Sequence, residues 1–170
     1  LGGAVGIVLF LFFLIYLWSR PTPVSKEVFL AQLPEEHVQA GTFNKQGKTP
    51  AGNTITVNGA TAEKGLLLLP ARDGAPASVS YRLGGKYRTF KTTAALDDAS
   101  QGEFDVTFSV IGDGRILWDF RRPAGAGARA KACSIDVSDV KLLELVVTVR
   151  GGFTGTTGFL PVWVDPQLSE

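Results

Sequence analysis

The side chains best equipped for acid–base or metal chemistry are scattered along the chain. His37 is the only histidine and stands beside Glu35 and Glu36. With no second histidine, a zinc site or a His-based triad lacks its parts. Cys133 is the only cysteine, which rules out an intrachain disulfide. Cys133, Ile135 and Val137 alternate with polar neighbours, so the thiol reads as a small buried hydrophobe on a strand. Asp97-Asp98, with Glu103 and Asp105 nearby, offers oxygen ligands to a structural Ca²⁺, but no spaced ligand loop is evident. The same carboxylates lack the fixed separation a glycosidase needs. "RRPAGAGARAK" (121–131) brings Arg121, Arg122, Arg129 and Lys131 together among Gly and Ala, a pattern for anionic headgroups, an acidic partner or a solvated loop. "GGFTGTTG" (151–158) is glycine-rich, lacks the context of a phosphate loop, and exposes Phe153 as an apolar tip. No catalytic residue and no cofactor is expected, structural calcium being the single candidate.

The elements that must position these groups fall into two classes. "LGGAVGIVLFLFFLIYLW" carries no charge from Leu1 to Trp18 and as a helix would cover roughly 27 Å, near the ~30 Å of a hydrocarbon core. Tyr16 and Trp18 stand at one end, where amphipathic rings favour the headgroup layer, and Arg20 follows as the first charge. The stretch ends Trp18-Ser19-Arg20-Pro21, a poor cleavage site, so a retained single-span anchor is expected rather than a signal peptide. Pro21 and Pro23 then hold residues 19–25 as an extended linker.

From residue 26 to residue 170 the pattern is all-β. Lys26–Leu33 reads as a first strand or docking segment, and residues 41–53 read as loop. Thereafter alternating runs are separated by turn signals, as in a β-sandwich. Phe104, Val106, Phe108 and Val110 fall on one face, and Leu143, Leu145 and Val147 are expected to join them from a second strand. In "FSVIGDGRILWDF" (108–120) the Gly112-Asp113-Gly114 run supplies a hairpin turn. Trp118 beyond it is expected in core or rim packing rather than as a sugar platform. A net charge of +1 provides no basic field, so no nucleic-acid partner is expected.

Several stretches together resemble one family. Tyr81-x-Leu83-Gly84-Gly85-Lys86-Tyr87-x-x-Phe90 and Phe108-x-Val110-x-Gly112-Asp113-Gly114-x-x-x-Trp118 are its most specific parts. With "VFLAQLPEEHV", "ITVNGATAEKGLLLLP", "IDVSDVKLLELVV" and "VWVDPQL" in order, they are similar to the NPCBM domain, a carbohydrate-binding module. The resemblance runs from about Val28 to Leu168. It implies a galactose-binding-like β-sandwich (jelly roll) and an extracytoplasmic location, periplasmic in a bacterium.

The departures from that pattern shape the functional expectation. The family usually has a histidine in "KGLGxH", where this chain has Leu69. An Asp-His pair usually precedes the late tryptophan, where Phe159 and Leu160 stand. Sugar recognition needs polar groups that converge on hydroxyls, whereas these replacements suit an apolar contact surface. The expected function is therefore a non-catalytic, single-span structural subunit docking on other subunits of a larger membrane complex, energy-transducing complexes included. Leu69, Phe153, Phe159, Leu160, Arg121 and Arg122 are the expected partner contacts, and Tyr16, Trp18 and Arg20 meet the bilayer. The alternative is a membrane-tethered carbohydrate-binding module at the cell surface.

Overall fold

The computed structural model describes residues 26–102, 104–124, 130–150 and 158–170. The proposed span Leu1–Trp18, the linker 19–25 with Arg20, Glu103 and Phe153 lie outside the described residues. No helix among the described residues is long and apolar enough to cross a membrane.

The chain forms strands β1 (Glu27–Phe29), β2 (His37–Gln39), β3 (Thr42–Asn44), β4 (Thr56–Val57), β5 (Ala60–Thr61), β6 (Leu66–Leu69), β7 (Ala77–Arg82), β8 (Thr89–Leu96), β9 (Asp105–Gly112), β10 (Arg115–Arg122), β11 (Ala130–Asp136), β12 (Leu142–Arg150) and β13 (Pro161–Ser169). A single 3-10 turn at Leu30–Gln32 follows β1. One sheet runs β11-β8-β13-β6-β3 with β1 also paired to β13, and the second runs β10-β9-β12-β7-β2. Strands β4 and β5 make a separate hairpin. Pairing is antiparallel throughout, so each sheet buries one face against the other and alternation follows.

The expected inward faces are present. Val106, Phe108 and Val110 are buried on β9, and Leu143, Leu145 and Val147 on β12. The register sets Val110 opposite Leu145 and Phe108 opposite Val147. Phe104 is half-buried against the same core. Cys133 is buried on β11, and burial pushes its thiol up to about 11. Trp118 packs on the core with its ring 6.3 Å from that of Trp163.

One sequence expectation needs correction. Residues 41–53 are not all loop, because Thr42–Asn44 pair with Leu67–Leu69. The last strand continues past Pro166 to Ser169. A register shift between Val164 and Gln167, with Asp165 at φ 41°, lets the proline sit where no ladder donor is required.

The turn at 112–115 is structural. Asp113 (φ 48°) and Gly114 (φ 79°) are both left-handed, as a two-residue type I′ turn between the Gly112–Arg115 pair demands. The Asp113 carboxylate accepts from the backbone N–H of Leu142 at 2.9 Å and of Lys141 at 3.1 Å, which ties the turn to β12. Those donors, Leu142 first, hold its carboxyl below the ordinary 3.8. Because the folded-state value is the lower one, its stabilisation is complete above the ordinary carboxylate range and is lost as pH falls through the folded value. An NMR titration should place Asp113 below 3.8. Asp113→Asn, which tolerates the same φ, should flatten the acid limb of the stability profile. A titration at or above the ordinary value would dismiss the tie.

Candidate ligand-binding cleft

The run Leu66-Leu67-Leu68-Leu69 does not alternate because β6 is covered on both faces. Leu66 and Leu68 enter the core between the sheets. Leu67 joins Ala95 and Val162 on the outer face, under Ile55, Val57 and Ala62. The segment from residue 45 to residue 62 thus wraps over the outside of the six-stranded sheet. It is held by Gly47 N–H to Gly65 C=O at 3.2 Å, Ile55 N–H to Gly47 C=O at 2.9 Å and Ala62 N–H to Ile55 C=O at 3.0 Å.

At one end of that sheet, the close of β6, the close of β8 and the start of β13 meet this wrapping segment. They enclose a cleft of about 580 Å³, within the usual range of small-molecule sites. Leu69, Phe159 and Leu160 line it together with Ala99, Asp97 and Gly158. Thr49, Pro50, Ala51, Asn53, Thr54 and Thr56 of the wrapping segment line it too, with Thr42 of β3 and Arg72. Phe159 is buried, its ring 4.6 Å from that of Phe104, whereas Leu69 and Leu160 are half-buried.

The walls are fixed by hydrogen bonds. Asp97 is buried, and its carboxylate accepts from Thr56 N–H at 2.8 Å and Ala99 N–H at 2.9 Å. Asp98 accepts from Asn58 N–H at 2.9 Å and Gly59 N–H at 2.8 Å. These aspartates clamp the β4–β5 hairpin to the end of β8. Among the described residues no group of three or more His, Cys, Asp or Glu is placed to hold a metal ion. Leu160 N–H donates to Ser100 Oγ at 3.1 Å, and Leu160 C=O accepts from Asp97 N–H at 2.9 Å. A turn opened by Thr49-Pro50 closes through Gly52 N–H to Thr49 C=O at 2.9 Å. Thr49 is buried, and its hydroxyl has no hydrogen-bond partner.

Of the residues singled out from sequence, the fold brings Leu69, Phe159 and Leu160 together. Arg121 and Arg122 are elsewhere, on β10. Arg121 makes a two-pronged pair with Asp105 at 3.0 and 2.6 Å, and Arg122 is buried with Nη1 3.4 Å from the Phe104 carbonyl. His37 is exposed on edge strand β2. Sequence reasoning missed Thr49, Asn53, Thr56 and Arg72, and the Thr49-Pro50 turn signal lay inside a stretch read as featureless loop.

Two face-to-face antiparallel sheets with a cleft at converging strand ends define an all-β sandwich of the kind seen in carbohydrate-binding modules. The chain belongs to the NPCBM/NEW2 domain family, whose model matches residues 26–169. A Renibacterium salmoninarum protein named as an endo-alpha-N-acetylgalactosaminidase is 25% identical over 150 residues, 82% of this chain. The chain spans 9% of that protein's length. CBM51 from Clostridium perfringens GH95, solved in complex with methyl-galactose, matches with a TM-score of 0.65 at 22% identity, over 84% of this chain and 99% of that one. CBM51-2 of Clostridium perfringens ZmpB, solved with GlcNAc and INT domains, matches with a TM-score of 0.69 at 22% identity, over 85% of this chain and 32% of that one. These likenesses show a shared fold.

The family and the cleft overturn the expectation of a structural subunit of a membrane complex. That expectation took Leu69, Phe159 and Leu160 for a contact surface emptied of binding groups. They instead line a concave site, with Phe159 committed to the core, in a member of the NPCBM/NEW2 domain family.

Proposed function

We propose that this chain is a non-catalytic carbohydrate-binding module, tethered at a cell surface by the apolar run Leu1–Trp18, and that the cleft walled by Leu69, Thr49, Arg72 and Leu160 is its sugar site. The observation that carries the reading is a cleft of small-molecule size, set at converging strand ends in a member of this family. Its side chains suit the task in kind. Thr42, Thr49, Asn53, Thr54 and Arg72 supply donors and acceptors to the lining, and Leu69 and Leu160 supply apolar surface. The enzymatic activity in the name of the Renibacterium relative belongs to a far longer protein, of which this chain spans 9%.

Saccharide titration of the full chain, followed by NMR shifts, tests the site. Binding in the millimolar range or tighter is expected, with shifts at residues 49–56 and 158–160. Ala99 is exposed on the cleft wall, so Ala99→Arg should fill the site without disturbing the core and weaken binding at least about 10-fold. A folded chain that binds no saccharide would overturn the proposal. Surface placement is read in parallel: intact cells should be retained on beads bearing the bound sugar, and retention only after lysis would count against it.

A further inference from the structure

The chain enters the sandwich at the end opposite the cleft. Glu27 of β1 pairs with Ser169 at the close of β13, and Ser169 in turn pairs with Thr89 at the start of β8. The cleft lies at the other end of β8, a strand of 8 residues whose ends stand about 23 Å apart at ~3.3 Å per residue. Hydrogen bonds tie the entry point to the 112–115 hairpin turn. Ser169 C=O accepts from Arg88 N–H at 2.8 Å, Arg88 C=O from Val137 N–H at 2.8 Å, and Val137 C=O from Val140 N–H at 3.0 Å. Val140 lies beside the turn, because a Cβ on Gly112 would stand 3.0 Å from Val140 Cγ2 and 2.6 Å from Leu117 Cδ1.

This end is also where apolar side chains are left in solvent. Of the four exposed large hydrophobics among the described residues, Ile116, Leu117 and Leu142 surround the turn, and only Val38 lies elsewhere. Ile116 is 67% exposed and stands opposite Ile111 on β9. The exposed charges nearby balance in sign: Lys86, Arg115 and Lys141 against Asp113, Asp136 and Asp139.

We infer that this apolar hairpin end seats in the surface of the lipid bilayer that holds the tether, which turns the cleft outward. The docking rests on the tether reading above and extends it. Residues 19–25 separate the apolar run from Lys26, and seven residues span at most about 25 Å. The domain is therefore held close to the surface by the end that carries the patch. Three exposed side chains would not keep a free protein on lipid, but a tether makes the contact intramolecular, and a weak contact then suffices. With charges balanced, apolar burial drives the contact and a zwitterionic surface is enough.

The full chain, reconstituted in phosphatidylcholine vesicles with a quencher on the upper acyl chain, tests the docking. Native Cys133 is buried, so a fluorophore goes to a single introduced cysteine. Asp139→Cys places it beside the hairpin and Ala51→Cys at the cleft, both exposed positions. Quenching should be several-fold stronger at 139 than at 51. Adding Ile116→Ser and Leu142→Ser should bring residue 139 down to the level of residue 51 with the unfolding midpoint unchanged, since both side chains are exposed. Should that variant lose stability, the comparison of 139 with 51 decides alone. Flotation of the same vesicles reads the tether separately. A chain that floats with equal quenching at the two positions, or stronger quenching at 51, would overturn the docking, leave the tether standing and assign the patch to a protein neighbour. Quenching at 139 that survives in the folded double-serine variant would equally overturn it. A chain that does not float would overturn both.

Discussion

Phe108→Ala should cost the fold about 3–5 kcal/mol, the range for removing a fully buried aromatic ring from a packed core. Phe108 sits mid-strand on β9, which has neighbours on both sides: Phe120 of β10 and Val147 of β12 stand opposite it in register. Its ring meets that of Trp163 from the other sheet edge-on, with centroids 5.3 Å apart. Removing the ring therefore opens a cavity at the contact between the two sheets, where ladders on both flanks prevent β9 from collapsing inward. Urea unfolding followed by tryptophan fluorescence would read the loss, with the midpoint falling and the slope unchanged. A loss below about 1 kcal/mol would mean that Phe108 does not hold this position.

The same residue shows what was legible in the sequence. Strict alternation in residues 104–110, and apolar residues at every second position from Leu143 to Val149, define two central strands, because one face of each is buried and the other is less so. The Asp113-Gly114 pair announces its hairpin because few residues accept two successive left-handed conformations. Legibility ends where a segment's conformation is set by contacts distant in sequence. The four leucines of β6 break alternation because residues 55–62 cover the outer face, a cover that β6 itself does not encode. Strand β3 looked like loop because its polar, glycine-flanked residues are held by the ladder to β6.

The candidate site was legible by half. Resemblance to the family marked Leu69, Phe159 and Leu160 as the positions where this chain departs from its pattern, and the fold places all three in one cleft. The inference drawn from them failed because apolar residues read as a surface patch are, in the fold, one side of a concavity. The missing side is supplied by Thr49–Thr56, whose position depends on the Asp97 clamp. Arg121 and Arg122 lie apart from that cleft. In sequence they open a basic, glycine-rich stretch, yet on β10 the first is neutralised across the hairpin by Asp105 and the second is folded inward.

Asp97→Ala tests that clamp, and its effect should be large for both stability and binding. The carboxylate is buried and accepts two amides, Thr56 N–H from the wrapping segment and Ala99 N–H from its own loop. Alanine leaves both donors without that acceptor in a partly buried setting, at about 1–3 kcal/mol each, so a loss of about 2–6 kcal/mol is expected. The damage should concentrate on one side of the sheet. Thr56 begins the hairpin whose Val57 helps cover Leu67, Ala95 and Val162, whereas the core between the sheets makes no use of the carboxylate. Amide exchange should therefore accelerate across residues 49–62 well before it does in β9 and β12. Saccharide affinity should fall with the detached wall even where most molecules remain folded. Asp97→Asn keeps one acceptor oxygen and should fall between the two. Uniform acceleration across both sheets would show that the clamp belongs to the global core. Unchanged exchange at residues 49–62 would show that the wrapping segment, and with it the cleft, is held by its apolar contacts alone.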